Sequence, residues 1–386
     1  MARFLNLLPF FALFLLLACQ PDQPTNTAPE PLPEVAADYE DNPYPWGFID
    51  STGNLVIRAR YDEVRAFSEG LALVRSKGRW GYIDRTGQPA IPTTFRAAWP
   101  FTNGRARTQT DEGKFGFIDR DGNWIITAEY DELSEFSEDL AAFRQGENYG
   151  YLNTTGAVII EPQFSKAGPF ANGQAIVAKD GQYGIITSTG ETVIDFYYDR
   201  LKPFSGALAR ARVEGLYGYL DATGELIIEP AYRQASDFVN GVAAVAKANK
   251  WGLIDGKGES IMEPIYDQLF SAGEERWIAA LGSEYYLLDN NGDRVINRPF
   301  QEIQPFSDGL AAYQLDELWG YLLPDGSTMG VPQYYLAWPF KNGIARVATR
   351  FGLGFINTKG NLLFRPRPQF FELRDFSEGL APAEIH

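Results

Sequence analysis

Along this chain, aromatic and aliphatic residues come in short alternating runs broken by turn residues, without the three- and four-residue steps of an amphipathic helix. Trp80-Gly81-Tyr82-Ile83 is typical: a brief run of strand formers that ends in Asp84-Arg85-Thr86-Gly87. Asp at the first turn position caps amides a few residues on, and Gly at the fourth supplies a positive φ. A second run such as Leu226-Ile227-Ile228-Glu229 then folds back as the other arm of a hairpin. Pro162, Pro230 and Pro264 stand just beyond this second run, where a missing amide does no harm. After an irregular stretch comes a motif such as Phe67-Ser68-Glu69-Gly70-Leu71. A third run, Leu71 to Val74, turns through Lys77-Gly78 into the next Trp. Three strands per unit are expected.

The unit recurs ten times. An apolar-Gly pair opens it at Trp46, Trp80, Phe115, Tyr149, Tyr183, Tyr217, Trp251, Trp319 and Leu353, and Tyr285-Tyr286 stands in the same place; the spacings are 34, 35, then 34 throughout. Seven residues into every unit lies a glycine: Gly53, Gly87, Gly122, Gly156, Gly190, Gly224, Gly258, Gly292, Gly326 and Gly360. An aromatic follows at position fifteen in nine units, and alanine at position 26 in nine, when the last unit is aligned by its Phe-Ser-Glu-Gly motif. A small residue held so regularly within a strand implies close packing against a neighbouring unit's aromatic.

The Trp/Tyr-Gly-Tyr/Phe-Ile-Asp-x-x-Gly core and the Phe-Ser-x-Gly-Leu-Ala segment, from Trp46 to the C-terminus, resemble the WG-repeat family of β-repeat proteins. That resemblance implies a family defined by its repeat and variable in copy number. A unit that can be added or lost fits an open stack, so the expected fold is all-β, with tandem repeats of about 34 residues in a solenoid-like or superhelical array. The alternative is a β-propeller, although ten blades of three strands exceed the usual four to eight blades of four.

The first residues have a different pattern. Residues 1–18 hold Arg3 and then an apolar run that ends at Cys19, the layout of a secretory signal. Leu16-Leu17-Ala18-Cys19 resembles the lipobox of bacterial lipoproteins, which implies acylation of the Cys19 thiol and cleavage before it. Acyl chains anchor a protein at roughly 0.8 kcal/mol per buried CH₂. Gln20 to Pro45 carry seven prolines, six carboxylates and no basic residue, a composition that stays extended and reads as a spacer. The expected organisation is a signal peptide at 1–18, a lipidated cysteine and linker at 19–45, and ten repeats at 46–386. Because Gln20 is not the Asp that retains lipoproteins in the Gram-negative inner membrane, the outer membrane is the preferred address.

Charge and composition narrow the chemistry. The net charge is −16, and nucleic acid phosphates repel such a polyanion, so no nucleic acid partner is expected. The only histidine is His386 and the only cysteine is Cys19, which removes histidine-based acid–base work, thiol nucleophiles and Cys/His metal sites. The Asp119 to Gly122 and Asp289 to Asp293 segments look faintly like calcium loops but lack the glutamate an EF-hand needs, and they fall on the repeating hairpin turn. Acidic residues such as Asp62, Asp131, Asp199 and Asp267 occupy repeating positions, whereas a catalytic pair should break the repeat. The chain is expected to be no enzyme and to need no cofactor or metal.

Departures from the repeat are the candidate sites. Units two and nine carry extra tryptophans, Trp99 and Trp338, and unit seven places Trp277 near a displaced Phe270; these three are candidate binding residues. The junction of units seven and eight, with its Phe out of place and Tyr286 for Gly, is expected to be the weakest joint. The expected function is a lipid-anchored cell-envelope surface for an unidentified protein partner, with a glycan stacked on exposed aromatics as the alternative.

Overall fold

The computed structural model describes residues 45–386 apart from 366, 368 and 386. The signal segment 1–18, Cys19 and the linker up to residue 44 lie outside the described residues. Every regular element described is a β-strand, and the strands form ten small antiparallel sheets. Blade 1 is a meander of Glu63–Ser68, Leu71–Ser76, Arg79–Asp84 and Pro89–Phe95, paired in that order. Blades 2 to 9 follow along the chain, and blade 10 is assembled from both ends.

The full blade has four strands, not three: seven of the sheets have four, and those of blades 7, 8 and 9 have three. The stretch read as irregular, such as Glu63–Ser68, is the first strand of a blade. It escaped the sequence reading because it is often only two residues long, as at Ala97–Ala98 and Leu336–Ala337, and because proline follows closely, as at Pro100 and Pro339. The frame is also shifted: the Trp-Gly pair opens the third strand of a blade.

This shift closes the array. The chain enters on the third and fourth strands of blade 10, Trp46–Ile49 and Leu55–Tyr61, and finishes on its first and second, Phe370–Leu373 and Ala381–Ile385. Ala381–Ile385 pairs with Trp46–Ile49 in the register Trp46↔Glu384 to Ile49↔Ala381. The result is a ten-bladed, propeller-like ring, the second of the two expected arrangements, and the open stack does not form. The physical reason is that an open array would leave Trp46–Ile49, fully buried here, with a bare edge and two exposed apolar faces.

The core lies between blades. One cluster joins Phe48, Ile57 and Tyr61 of blade 10 to Val64, Phe67 and Val74 of blade 1, and the next joins Trp80, Tyr82 and Ile91 to Ala98, Phe101 and Ile118. Each sheet therefore buries one face against the blade before it and the other against the blade after it. Alanine at position 26 makes room within each sheet for the first-strand aromatic: Ala72 sits across from Phe67, Ala175 from Phe170 and Ala209 from Phe204.

The two conserved-spacing glycines have different causes. All ten hairpin glycines have φ between 78° and 89°, a conformation that costs other residues about 1–2 kcal/mol. The glycine of the Trp-Gly pair is needed for space instead. A Cβ on Gly150 would lie 2.4 Å from the Ile160 carbonyl oxygen of the fourth strand. At Tyr286 that contact is relieved by giving up the strand. Blade 7 keeps only three strands, isolated bridges such as Tyr285↔Phe300 replace the fourth, and the Arg294 guanidinium covers the buried Tyr286 ring at 3.8 Å. Blade 8 retains Gly320 but also lacks a regular fourth strand, because Gly330, at φ 76°, interrupts the extended segment.

The expected weak joint at units seven and eight is repacked. Ala272 stands at the repeat position of the usual Phe and Trp277 at that of the usual Ala, but a changed register, Ser271↔Trp277, turns them to opposite faces: Ala272 toward blade 8 and Trp277 toward blade 6. Both are buried, at 0% and 1% exposure, and Ala272 and Trp277 keep the two core layers filled.

Candidate interaction surface

The first strands of consecutive blades converge on the axis side of the ring. One cavity there collects Lys341 from blade 9, Asp375 from blade 10, and Arg65 and Ala66 from blade 1. Next to these strands lie three buried arginines on second strands. Arg107 Nη1 donates to the Leu133 carbonyl of the next blade at 2.6 Å, and its Nε lies 3.0 Å from Glu135. Arg210 donates likewise to the Ala235 carbonyl and lies 3.1 Å from Asp237. Arg346 donates to the Leu373 carbonyl, and burial lowers its basicity while the Asp375 charge opposes that shift. At the other junctions both positions are uncharged, as at Leu73/Pro100 and Ile176/Pro203. Sequence reading overlooked this set because the arginine and its carboxylate belong to different repeats.

A second interblade contact recurs at four junctions. The buried hydroxyls of Tyr82, Tyr151, Tyr219 and Tyr321 donate to the carbonyls of Trp99, Gly168, Ser236 and Trp338 at 2.7–2.8 Å, and burial pushes all four phenols up. Ser68 and Ser377 donate to the Phe101 and Phe67 carbonyls of the blade that follows each, at 2.7 and 2.6 Å. The contact that crosses the closure, from Ser377, is the same contact made inside the chain.

The tryptophans singled out by the sequence are structural in large part. Trp99 is 6% exposed and lies beneath the Arg107 guanidinium, 4.0 Å away. Trp277 is 1% exposed and its Nε1–H donates to Asn290 Oδ1 at 2.9 Å. Neither offers its ring to a partner. Trp338 is half-buried under Arg346 at 4.1 Å, in the same arrangement as Trp99.

The exposed apolar surface lies elsewhere, on the fourth strands. These alternate so that one face packs on the next blade while the strand start faces solvent. Leu55 and Val56 of blade 10, Trp124 and Ile125 of blade 2, Val158 and Ile159 of blade 3, and Ile227 of blade 5 are all exposed. Each is on a strand whose outer edge has no neighbour in its sheet. The repeat itself carries this signal, since the hairpin's second arm begins with two apolar residues that cannot both point inward. Among the described residues no group of three or more His, Cys, Asp or Glu is placed to hold a metal.

A closed ring of small antiparallel blades, with its core between blades and apolar edges outside, defines a propeller-like repeat protein. The profile of the WG containing repeat matches residues 46–80, 80–114, 115–149, 149–183, 183–217, 217–251, 251–275, 287–319 and 354–386. The chain belongs to that family. The unmatched stretches, 276–286 and 320–353, hold Trp277, Tyr286 and nearly all of unit nine. No curated protein matches the chain. Among solved structures it is similar to a eukaryotic initiation factor, at 12% identity and TM-score 0.46 over 74% of this chain and 94% of that one. It is also similar to the computationally designed Ika8 protein, at 14% identity and TM-score 0.38 over 70% and 96%. BamB from Moraxella catarrhalis matches at 14% identity and TM-score 0.33 over 64% and 89%.

Proposed function

We propose that this chain is a cell-envelope lipoprotein, held by acylated Cys19, whose ring is a scaffold for a protein partner. The supporting observation is the outer rim: the fourth strands of blades 10, 2 and 3 expose paired apolar residues beside a free backbone edge. An extended peptide can add to such an edge, with main-chain hydrogen bonds giving affinity and the apolar residues giving specificity. Proline lies within the fourth strands of blades 1, 3, 5 and 6, at Pro92, Pro162, Pro230 and Pro264, not beyond them, and blunts those edges, whereas the fourth strands of blades 10 and 2 carry none and are left open to pairing. The glycan alternative has less support, because Trp99 and Trp277 are enclosed and leave no tryptophan platform at either place.

Photo-crosslinking tests the reading. A crosslinker at Ile125 in the native envelope should yield a discrete protein adduct, and Val158→Asp with Ile159→Asp on the neighbouring blade should abolish it without changing the circular dichroism. Adducts that survive those substitutions, or that are digested by glycosidases and not by proteases, would rule out a protein partner at this rim. The anchor is tested separately: Cys19→Ser should move the chain from the detergent phase to the aqueous phase.

A further inference from the structure

The ring has two faces. Turns between second and third strands, such as Ser76 to Arg79, and the links between blades, such as Tyr61 to Glu63, lie on one of them. Pro45 lies there too, because its carbonyl accepts the Ile385 amide and Ile385 pairs with Phe370. This is the entry face.

Two repeat positions on the entry face are polar in blades 1 to 8 and become aromatic together in one corner. The residue opening the link into the first strand is polar from Asp62 to Gln301, but it is Tyr335 in blade 9 and Phe371 in blade 10. The second-to-third-strand turn has no aromatic in those eight blades, as in Lys77-Gly78 and Asp316-Glu317, but is Arg350-Phe351 in blade 9. Tyr335, Phe351 and Phe371 are 58%, 62% and 61% exposed. Tyr335 precedes the pairing of Leu336 with Ala348, Phe351 follows Thr349, and Phe371 is on the strand packed against Gly352–Asn357. The three rings share one rim.

Charge breaks in the same place. Between Asp325 and Glu372 the chain has no carboxylate, although the whole carries 50, and it has six cations. Arg350 is exposed over the Phe351 ring at 4.6 Å, and Arg365 and Arg367 lead into Phe370 on this face. Lys341 and Lys359 belong to turns on the far face, and Arg346 is interior.

We infer that this aromatic and cationic corner of blades 9 and 10 docks on an anionic phospholipid surface. Tyr and Phe rings beside arginines suit the headgroup layer, where rings sit at the interface and cations meet phosphates. A chain of net charge −16 is repelled by such a surface everywhere else, so contact selects one orientation. The occupant is also set by where the chain comes from. Pro45 is two strands from Phe370, roughly 10 Å at ordinary strand spacing. Only 25 residues separate Cys19 from Pro45, so a lipid on Cys19 keeps this corner near the bilayer. The inference rests on the lipid anchor at Cys19, which holds the corner at high effective concentration over the bilayer. The linker then lets the ring lie on the membrane by its entry face, with the Phe-Ser-Glu-Gly turns pointing away.

With Cys19 acylated, an introduced cysteine is the only free thiol. The full chain carrying Phe351→Cys, or Asn249→Cys in the equivalent turn of blade 6, is labelled with an environment-sensitive fluorophore. It is then placed in phosphatidylethanolamine vesicles containing phosphatidylglycerol and a spin-labelled lipid. The label at 351 should be quenched several-fold more than that at 249, and Tyr335→Ser with Phe371→Ser should remove the difference. Equal quenching at the two positions overturns the proposal. So does quenching at 351 that polyphosphate in solution abolishes while phosphatidylglycerol content has no effect, since the corner would then be a site for a soluble polyanion. Thiol labelling of the wild-type chain at Cys19 would instead defeat the anchor, and the same cysteine variants carrying Cys19→Ser, mixed with added vesicles, would still report on the corner.

Discussion

Arg107 on blade 2 holds the Glu135 carboxylate of blade 3 at 3.0 Å, and where this arginine recurs at the same repeat position, in Arg210 and Arg346, the next blade again supplies an acid, Asp237 or Asp375. The arginine carries most of the interaction, because it is 3% exposed while Glu135 is half in solvent. Arg107→Ala strips the buried Leu133 carbonyl of its donor and uncovers Trp99, which should cost about 2–3 kcal/mol. Glu135→Gln should cost about 1 kcal/mol or less. Replacing both together by the uncharged pattern of Leu73 and Pro100, as Arg107→Leu with Glu135→Pro, should recover much of the loss. Urea titrations of the three variants measure the order, and a double variant less stable than Arg107→Ala would contradict the pairing.

The burial of Trp277 between blades 6 and 7 gives a second expectation. Trp277→Ala alone opens a cavity at the interface of blades 6 and 7 and should cost about 3–5 kcal/mol. Adding Ala272→Phe puts bulk on the opposite face of the sheet, against blade 8, and should not return that stability. In the unmodified chain, hydrogen exchange over residues 270–290 should match that over 168–188. Faster exchange in 270–290 would mean that Trp277 does not make good the displaced Phe.

Glu302 makes stability depend on pH near neutrality. Burial raises its carboxyl from 4.5 to about 7. A carboxyl raised in the folded state contributes stability that is fully present below its unfolded value and is lost as pH rises through the folded one. The window is therefore pH 4.5 to about 7. Glu302→Gln should raise the thermal midpoint at about pH 8 and leave it nearly unchanged at about pH 4.5. A stabilisation equal at both values would show that the carboxylate is solvated and not forced into the blade.

Much of this was legible in the sequence, and the limits have physical causes. The hairpin of the third and fourth strands was readable because Asp84 and Gly87 each have a single geometric use there, and φ at Gly87 is 83°. The first strand was not, because Ala97–Ala98 is too short to alternate and Pro100 reads as a breaker. Closure was hidden for a related reason: without that strand, nothing showed that Trp46 begins mid-blade and needs Ala381–Ile385. Among the candidate sites, Trp99 and Trp277 broke the repeat for packing reasons. The breaks that remain exposed, Tyr335, Phe351 and Phe371, lie in segments where single residues depart from the polar pattern without a tryptophan to draw notice.

Closure of the ring is the claim on which the rest depends, and the amides of Gly47 to Ile49 report on it. They form half of the pairing with Ala381–Ile385, so in a closed ring their hydrogen exchange should be as slow as that of Gly81 to Ile83, the equivalent strand of blade 1. Deleting residues 381–386 should expose them selectively, while Gly116 to Ile118 stay protected. Fast exchange at Gly47 to Ile49 in the intact chain, unchanged by that deletion, would mean that the two ends do not meet and the array is open.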